Sequence, residues 1–265
     1  MAGRRRNSRA LLIVAILVGG LAGATPSVAG ELAVNEVASG VFVHQGQHEL
    51  ASADNAGDIA NIGFIVGEQA VAVIDAGGSP RVGVALREAV RRVTKLPIRY
   101  LILTHVHPDH IFGWPAFATD GPQIVGHARL PRALALRSRY YIRNFSRILG
   151  DGAGVLKLPT IDVTVSDRLE LDLGGRILVV RAHAIAHSDS DLSVYDSQTS
   201  TLWLSDLLFR ERIPVVDGSI KGWLTVMGEV AAIGAERVVP GHGPVSDDWP
   251  GVQAGQRRYL EVIAR

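Results

Sequence analysis

Apolar residues recur along this chain in two rhythms, one of period two and one near 3.6, and the switches between them lay out its elements. Val41-Phe42-Val43-His44 alternates like a strand, and Ile62 to Val66 and Ala70 to Ile74 read as two more. Gly67-Glu68-Gln69 joins the last two as a hairpin, which ends at Asp75-Ala76-Gly77-Gly78. Val82, Leu86, Ala89, Val90 and Val93 then fall at helical spacing, with Arg87, Arg91 and Arg92 on the opposite face. A strand over Pro97 to Leu103, a short one over Ile124 to Gly126 and a helix over Ala128 to Leu149 follow. The second half predicts strands at Ile161 to Val165, Arg168 to Leu173, Arg176 to Val180, Leu192 to Tyr195, Thr201 to Leu204 and Arg237 to Val239. Asp172-Leu173-Gly174-Gly175 is a turn signal. Helices are expected over Ile220 to Ile233 and Gln253 to Ile263. Strands in two groups, each with attached helices and with no linker or repeat between them, predict an α/β fold of two sheets face to face with helices outside.

The N-terminus departs from this pattern. Arg4, Arg5, Arg6 and Arg9 precede an apolar run from Leu11 to Leu21, and Ser27-Val28-Ala29 supplies small residues at a cleavage position. The run from Ala10 to Ala24 falls short of the ~20 residues that span a bilayer. Residues 1–29 are therefore expected to be a signal peptide and residues 30–265 a single domain, periplasmic or secreted, with no transmembrane anchor after cleavage. Without the four leader arginines the chain has 23 basic and 26 acidic residues, net −3, which argues against nucleic acid as a partner. It has no cysteine, so disulfides are excluded and any metal must be held by His, Asp or Glu.

Candidate chemistry concentrates at Thr104-His105-Val106-His107-Pro108-Asp109-His110, where H-x-H-x-D-H follows the apolar Leu101-Ile102-Leu103. Continued as a strand, His105 and His107 would point the same way and grip one ion. Pro108 would break the strand, and Asp109, capping a helix, would turn itself and His110 to another side. Two adjacent metal sites are expected. Three more candidates follow apolar strands in the same manner: His187, Asp206, and His242 between Gly241 and Gly243. His183 is the rival of His187. His127 reads as a packed or capping residue, and His44 and His48 carry no signal.

Together, H-x-H-x-D-H and Pro240-Gly241-His242-Gly243 resemble the metallo-β-lactamase superfamily over roughly Val41 to Val245. The resemblance implies an αββα sandwich of two mixed sheets. It implies that His105, His107 and His187 bind a first zinc, that Asp109, His110 and His242 bind a second, and that Asp206 bridges them. A bridging Asp resembles the glyoxalase-II-like branch; the common resistance β-lactamases carry Cys or Ser there. The usual P-G-H-T around the third histidine is Ile185-Ala186-His187-Ser188 here. A closer resemblance, to exported zinc metallohydrolases associated with quinoprotein relays and sulfur-oxidation clusters, rests on Val41 to Gly46, Ala60 to Phe64, Asp206 to Phe209 and Asp217 to Ser219.

These readings lead to the expectation of an exported hydrolase with two Zn2+ per chain. A metal-bridging hydroxide would attack an ester-, thioester-, lactone- or amide-type carbonyl, with Asp109 as catalytic residue. The 23 residues after His242 leave no room for a helical glutathione domain. From Gly121 to Gly150 there is no acid, yet Arg129, Arg132, Arg137, Arg139, Arg143 and Arg147 alternate with Tyr140, Tyr141 and Phe145. That stretch reads as a solvated helix or as a lid that attracts an anionic small-molecule substrate or an acidic partner. Two alternatives stand beside the hydrolase: a mononuclear iron persulfide dioxygenase, and a non-enzymatic module docking to a periplasmic redox protein.

Overall fold

In the computed structural model, which describes residues 31–265, twelve strands form two sheets. The first runs in chain order: β1 (Asn35–Ala38), β2 (Val41–His44), β3 (Ile62–Val66), β4 (Val71–Ile74), β5 (Ile98–Leu103), β6 (Gln123–His127) and β7 (Val163–Val165). Pairing is antiparallel from β1 to β4 and parallel from β4 to β7. The second holds β8 (Arg168–Asp172), β9 (Ile177–Ala182), β10 (Leu192–Asp196), β11 (Thr201–Phe209) and β12 (Arg237–His242), adjacent in that order. Its one parallel pair is β11–β12. The segment read as a signal peptide lies outside the described residues. Among the described residues no helix is long and apolar enough to cross a membrane.

Strand alternation sorts the apolar side chains into layers. Ile65, Ile74, Ile102 and Val125 of the first sheet meet Leu178, Val180, Val194 and Trp203 of the second in a central core. Their neighbours Phe64, Val73, Leu101 and Leu103 point the other way, beneath α1 (Pro80–Val93) and α3 (Leu130–Leu149). Leu202 and Leu204 likewise face α4 (Ile220–Ala231) and α5 (Ala254–Ile263) around Trp223. The result is the four-layer αββα sandwich, each layer following from period-two burial in the strands.

Arg176 and Asp196 are buried together between strands of the second sheet. The guanidinium donates to both carboxylate oxygens and to Val66 O of the first sheet. Asp196→Ala strands that charge in the interior, which costs about 3–5 kcal/mol. Urea unfolding is expected to show the loss; a change under about 1 kcal/mol would mean that the guanidinium reaches water.

Four details differ from the sequence reading. β1 was not anticipated, because Asn35-Glu36-Val37-Ala38 is mostly polar or small; it forms at the edge by pairing with β2. β5 ends at Leu103, so His105 and His107 lie on a loop and strand alternation does not bring them together. Asp109 does not cap α2 (Pro108–Ile111): His107 holds the capping position without a side-chain bond, and Asp109 sits in the first turn. β11 and β12 run on through Asp206 and to His242. At β11 and β12 the backbone ladder thus carries the candidate ligands Asp206 and His242 within the sheet.

Candidate metal centre

The seven predicted ligands converge at one edge of the sandwich, on the loop after β5, the first turn of α2, the loop between β9 and β10, and the distal parts of β11 and β12. They fall into two groups. His105, His107, His187 and Asp206 form one, and Asp109, His110 and His242 the other; within each, one ligand atom per residue lies within 4.8 Å of the rest. Asp206 faces both. Its Oδ2 is 3.6 Å from His105 Nε2 and 3.3 Å from His187 Nε2, while its Oδ1 is 3.1 Å from His110 Nε2 and 3.5 Å from His242 Nε2.

Each histidine is held by the nitrogen turned away from this centre. His187 Nδ1 donates to Val215 O and His242 Nδ1 to Ile59 O, at 2.8 and 2.7 Å. His110 Nδ1 donates to Asp75 Oδ2 at 2.8 Å, and His107 Nε2 to Asp217 Oδ2 at 3.3 Å. His105 Nδ1 lies 3.1 Å from Thr104 Oγ1, which is in turn 2.8 Å from Asp75 Oδ2. In the neutral rings these acceptors fix the tautomers, so that the other five ring nitrogens turn free lone pairs inward.

That arrangement fits metal ions. His105 Nε2, His110 Nε2 and Asp206 Oδ1 are buried without a hydrogen-bond partner. His187 Nε2 and His107 Nδ1 face each other at 2.9 Å with their ring protons committed elsewhere, so positive charge is needed between them. An all-nitrogen-and-oxygen donor set with three histidines in its first group suits zinc and neighbouring divalent metals.

Burial lowers His105 far below the ordinary histidine value and takes His187 down to about 3. For His110 and His242, burial is outweighed by nearby carboxylates, Asp206 foremost, and both are raised. Burial alone would raise Asp206, but the surrounding histidines, led by His242, hold it well below the carboxylate range.

Three supporting residues went unrecognised in the sequence. Asp75 is fully buried after β4 and also accepts from Thr104 N at 2.8 Å, so it braces the start of the ligand loop as well as His110. Its φ of 57° is unusual for a non-glycine residue. Asn61 clamps the His242 turn, donating to Pro240 O and Gly243 O at 2.8 and 2.7 Å. Asp217 holds His107. Position in the sequence offered a signal only for Asp75, which directly follows an apolar strand.

His183 is not drawn into the cluster. Its Nε2 bonds Ser193 Oγ at 2.7 Å, and its carbonyl accepts from His127 Nε2 at 3.2 Å. The turn that carries His187 is closed by Asp191, which accepts from Ser188 N and Oγ at 2.9 and 2.6 Å. The glycines around His242 have different reasons. Gly243 takes a positive φ of 87°, as a tight turn requires, whereas Gly241 provides space. A Cβ at Gly241 would lie 1.8 Å from Asp206 Oδ1. Gly241→Ala is therefore expected to displace Asp206 and lower metal content while the protein still folds. Elemental analysis paired with a thermal melt checks this; undiminished metal content would contradict it.

Comparison with known proteins gives a consistent picture. The sequence model of the metallo-beta-lactamase superfamily matches residues 56–242. Beta-lactamase-like protein 2 homolog of Caenorhabditis elegans is 24% identical over 186 residues, 69% of this chain and 56% of that protein. 2,4-dinitroanisole O-demethylase subunit alpha of Nocardioides sp. (strain JS1661) is 24% identical over 181 residues, 67% of this chain and 51% of that protein. The chain thus spans about half the length of these curated relatives. Among solved structures, a metallo-beta-lactamase from Pontibacter korlensis has a TM-score of 0.68 at 20% identity, covering 87% of this chain and 99% of that one. The metallo-beta-lactamase FIM-1 from Pseudomonas aeruginosa, in a mono-zinc form, has a TM-score of 0.68 at 17% identity, covering 88% and 96%.

Proposed function

Starting from the fact that the chain belongs to the metallo-β-lactamase superfamily, we propose that it is a dinuclear zinc hydrolase acting on an ester-, thioester-, lactone- or amide-type carbonyl. The observation that carries this reading is the pair of ligand groups sharing Asp206, every histidine of which has its distal nitrogen held. His105, His107 and His187 would hold one ion and Asp109, His110 and His242 the other, with Asp206 between. When bound, the ions supply Lewis acidity and bring the pKa of bound water toward ~7.

The chain's own residues provide the rest. Asp109 Oδ2 lies 3.4 Å from His242 Nε2 and 3.7 Å from His110 Nε2, and its side chain stays partly exposed. It is therefore placed both to bind and to accept a hydrogen bond from an attacking water. Asp75 and Thr104 keep the loop bearing His105 and His107 in one conformation, so little reorganisation accompanies reaction. Phe209 and Trp223 pack against His187, with ring centroids 5.5 and 5.1 Å away, and exclude water from that side.

Likeness to the exported metallohydrolases named above adds Asp217 to Ser219, the segment that touches His107 and the His187 turn. A panel of thioester, lactone, nitrocefin and phosphodiester substrates with zinc-loaded protein tests the proposal. Turnover of at least one carbonyl substrate is expected. No turnover by zinc-loaded protein, with oxygen-dependent persulfide consumption by iron-loaded protein, would favour the dioxygenase.

A further inference from the structure

The arginines of α3 divide by face. Arg132, Arg139 and Arg143 are exposed, whereas Arg137 turns inward and only 22% of its side chain is accessible. Its Nη2 donates to Asp217 Oδ2 at 2.9 Å, the same oxygen that accepts from His107 Nε2. Its Nη1 lies 3.6 Å from Asp189 Oδ2, two residues beyond His187. At the head of the helix, Arg129 donates to the carbonyls of Asp189 and His183, at 2.5 and 2.7 Å, and grips the same loop from its other end.

The two segments that Arg137 joins also lie against each other. Asp217 N donates to His187 O at 3.1 Å and Ser219 N to Ala186 O at 2.8 Å. A Cβ on Gly218 would come within 2.4 Å of Ala186 O, so the contact leaves no room for a side chain there. Two carboxylates, Asp189 and Asp217, flank this junction, and one guanidinium lies between them. Without it they would repel each other and turn to solvent, and His107 would lose its fixed acceptor. A planar guanidinium presents separate nitrogens to the two acids in a rigid fork, whereas an ammonium offers a single compact charge.

We infer that Arg137 is a positioning residue of the metal centre: by pairing with Asp217 and Asp189 it fixes His107 and the His187 loop. The Arg-rich helix thereby sets the affinity of the first ligand group for its ion. This rests on the dinuclear reading above, and assigns to α3 a bracing role instead of that of a free lid. Loss of a group bonded directly to a metal ligand, as Asp217 is to His107, typically weakens metal binding 10–100-fold, and Arg137, one contact further out, falls at the low end of that range.

The test is competition for Zn2+ between the full-length protein and a chromophoric chelator, with the visible spectrum of the Co2+-substituted protein read in parallel. Arg137→Gln is expected to bind one of its two Zn2+ about 10-fold more weakly and to shift the Co2+ spectrum. Arg137→Lys should recover part of the loss. Arg132→Gln, which removes the same charge from the exposed face, should bind as wild type does. The double variant Arg137→Gln, Asp217→Asn should lose less than the product of the two single losses, because one acts through the other. Thermal melts establish that each variant is folded. A folded Arg137→Gln with wild-type affinity at both sites, or single losses that multiply, would overturn the inference. Wild-type protein that takes up no Zn2+ would overturn the dinuclear reading and this inference with it.

Discussion

Asp206→Asn is expected to reduce zinc to one equivalent or less per chain and to slow hydrolysis on the order of 10³-fold or more, the equivalent of several kcal/mol of lost charge stabilisation. Its carboxylate spans both ligand groups: one oxygen faces His105 and His187, the other His110 and His242. The amide keeps the shape, so the close packing of Gly241 on this side chain is preserved. What changes is charge and one donor atom. The new NH2 group must face one of the two histidine sets and presents protons where a lone pair is needed. Retention of two zincs with wild-type turnover would show that Asp206 is not shared.

Asp109→Asn separates catalysis from metal storage. A carboxylate is a far better ligand for a dication than an amide, so the second zinc should weaken. The attacking water also loses its orienting acceptor. Together these effects should cost on the order of 10²-fold or more in kcat. Folding should change little, because Asp109 is partly exposed and Leu101, Ile102 and Leu103 beneath it are untouched. Turnover on whichever panel substrate the wild type accepts, zinc content and a thermal melt make the comparison. A folded variant that lacks the second zinc and still works at the wild-type rate would leave a mononuclear mechanism standing.

The apolar runs made the sandwich legible because strands buried on both sheet faces read as continuous hydrophobic stretches, as Leu101, Ile102 and Leu103 illustrate. The seven candidate ligands, which the structure brings together, stood out for a different reason: imidazoles and carboxylates just beyond apolar strands have few other uses. What stayed hidden depends on contacts between distant segments. Asp217 meets His107 across 110 positions and Asn61 meets Pro240 across 179, and neither spacing leaves a local mark. Asp206 looked like the end of a strand because the apolar run was read only to Leu204. In fact the ladder of β11 and β12 continues beneath it, and Gly241 is the residue that makes room. The arginines of α3 were visible as a charge run, but that Arg137 faces inward depends on Asp189 and Asp217 across the gap.

The most direct measurement is the metal content of the purified protein by elemental analysis, alongside its hydrolytic activity before and after chelation. Two ligand groups joined by Asp206 predict two zinc ions per chain, activity that is lost when both are removed, and recovery on adding Zn2+ back. One equivalent of iron, with no carbonyl hydrolysis regained by zinc, would contradict the dinuclear hydrolase.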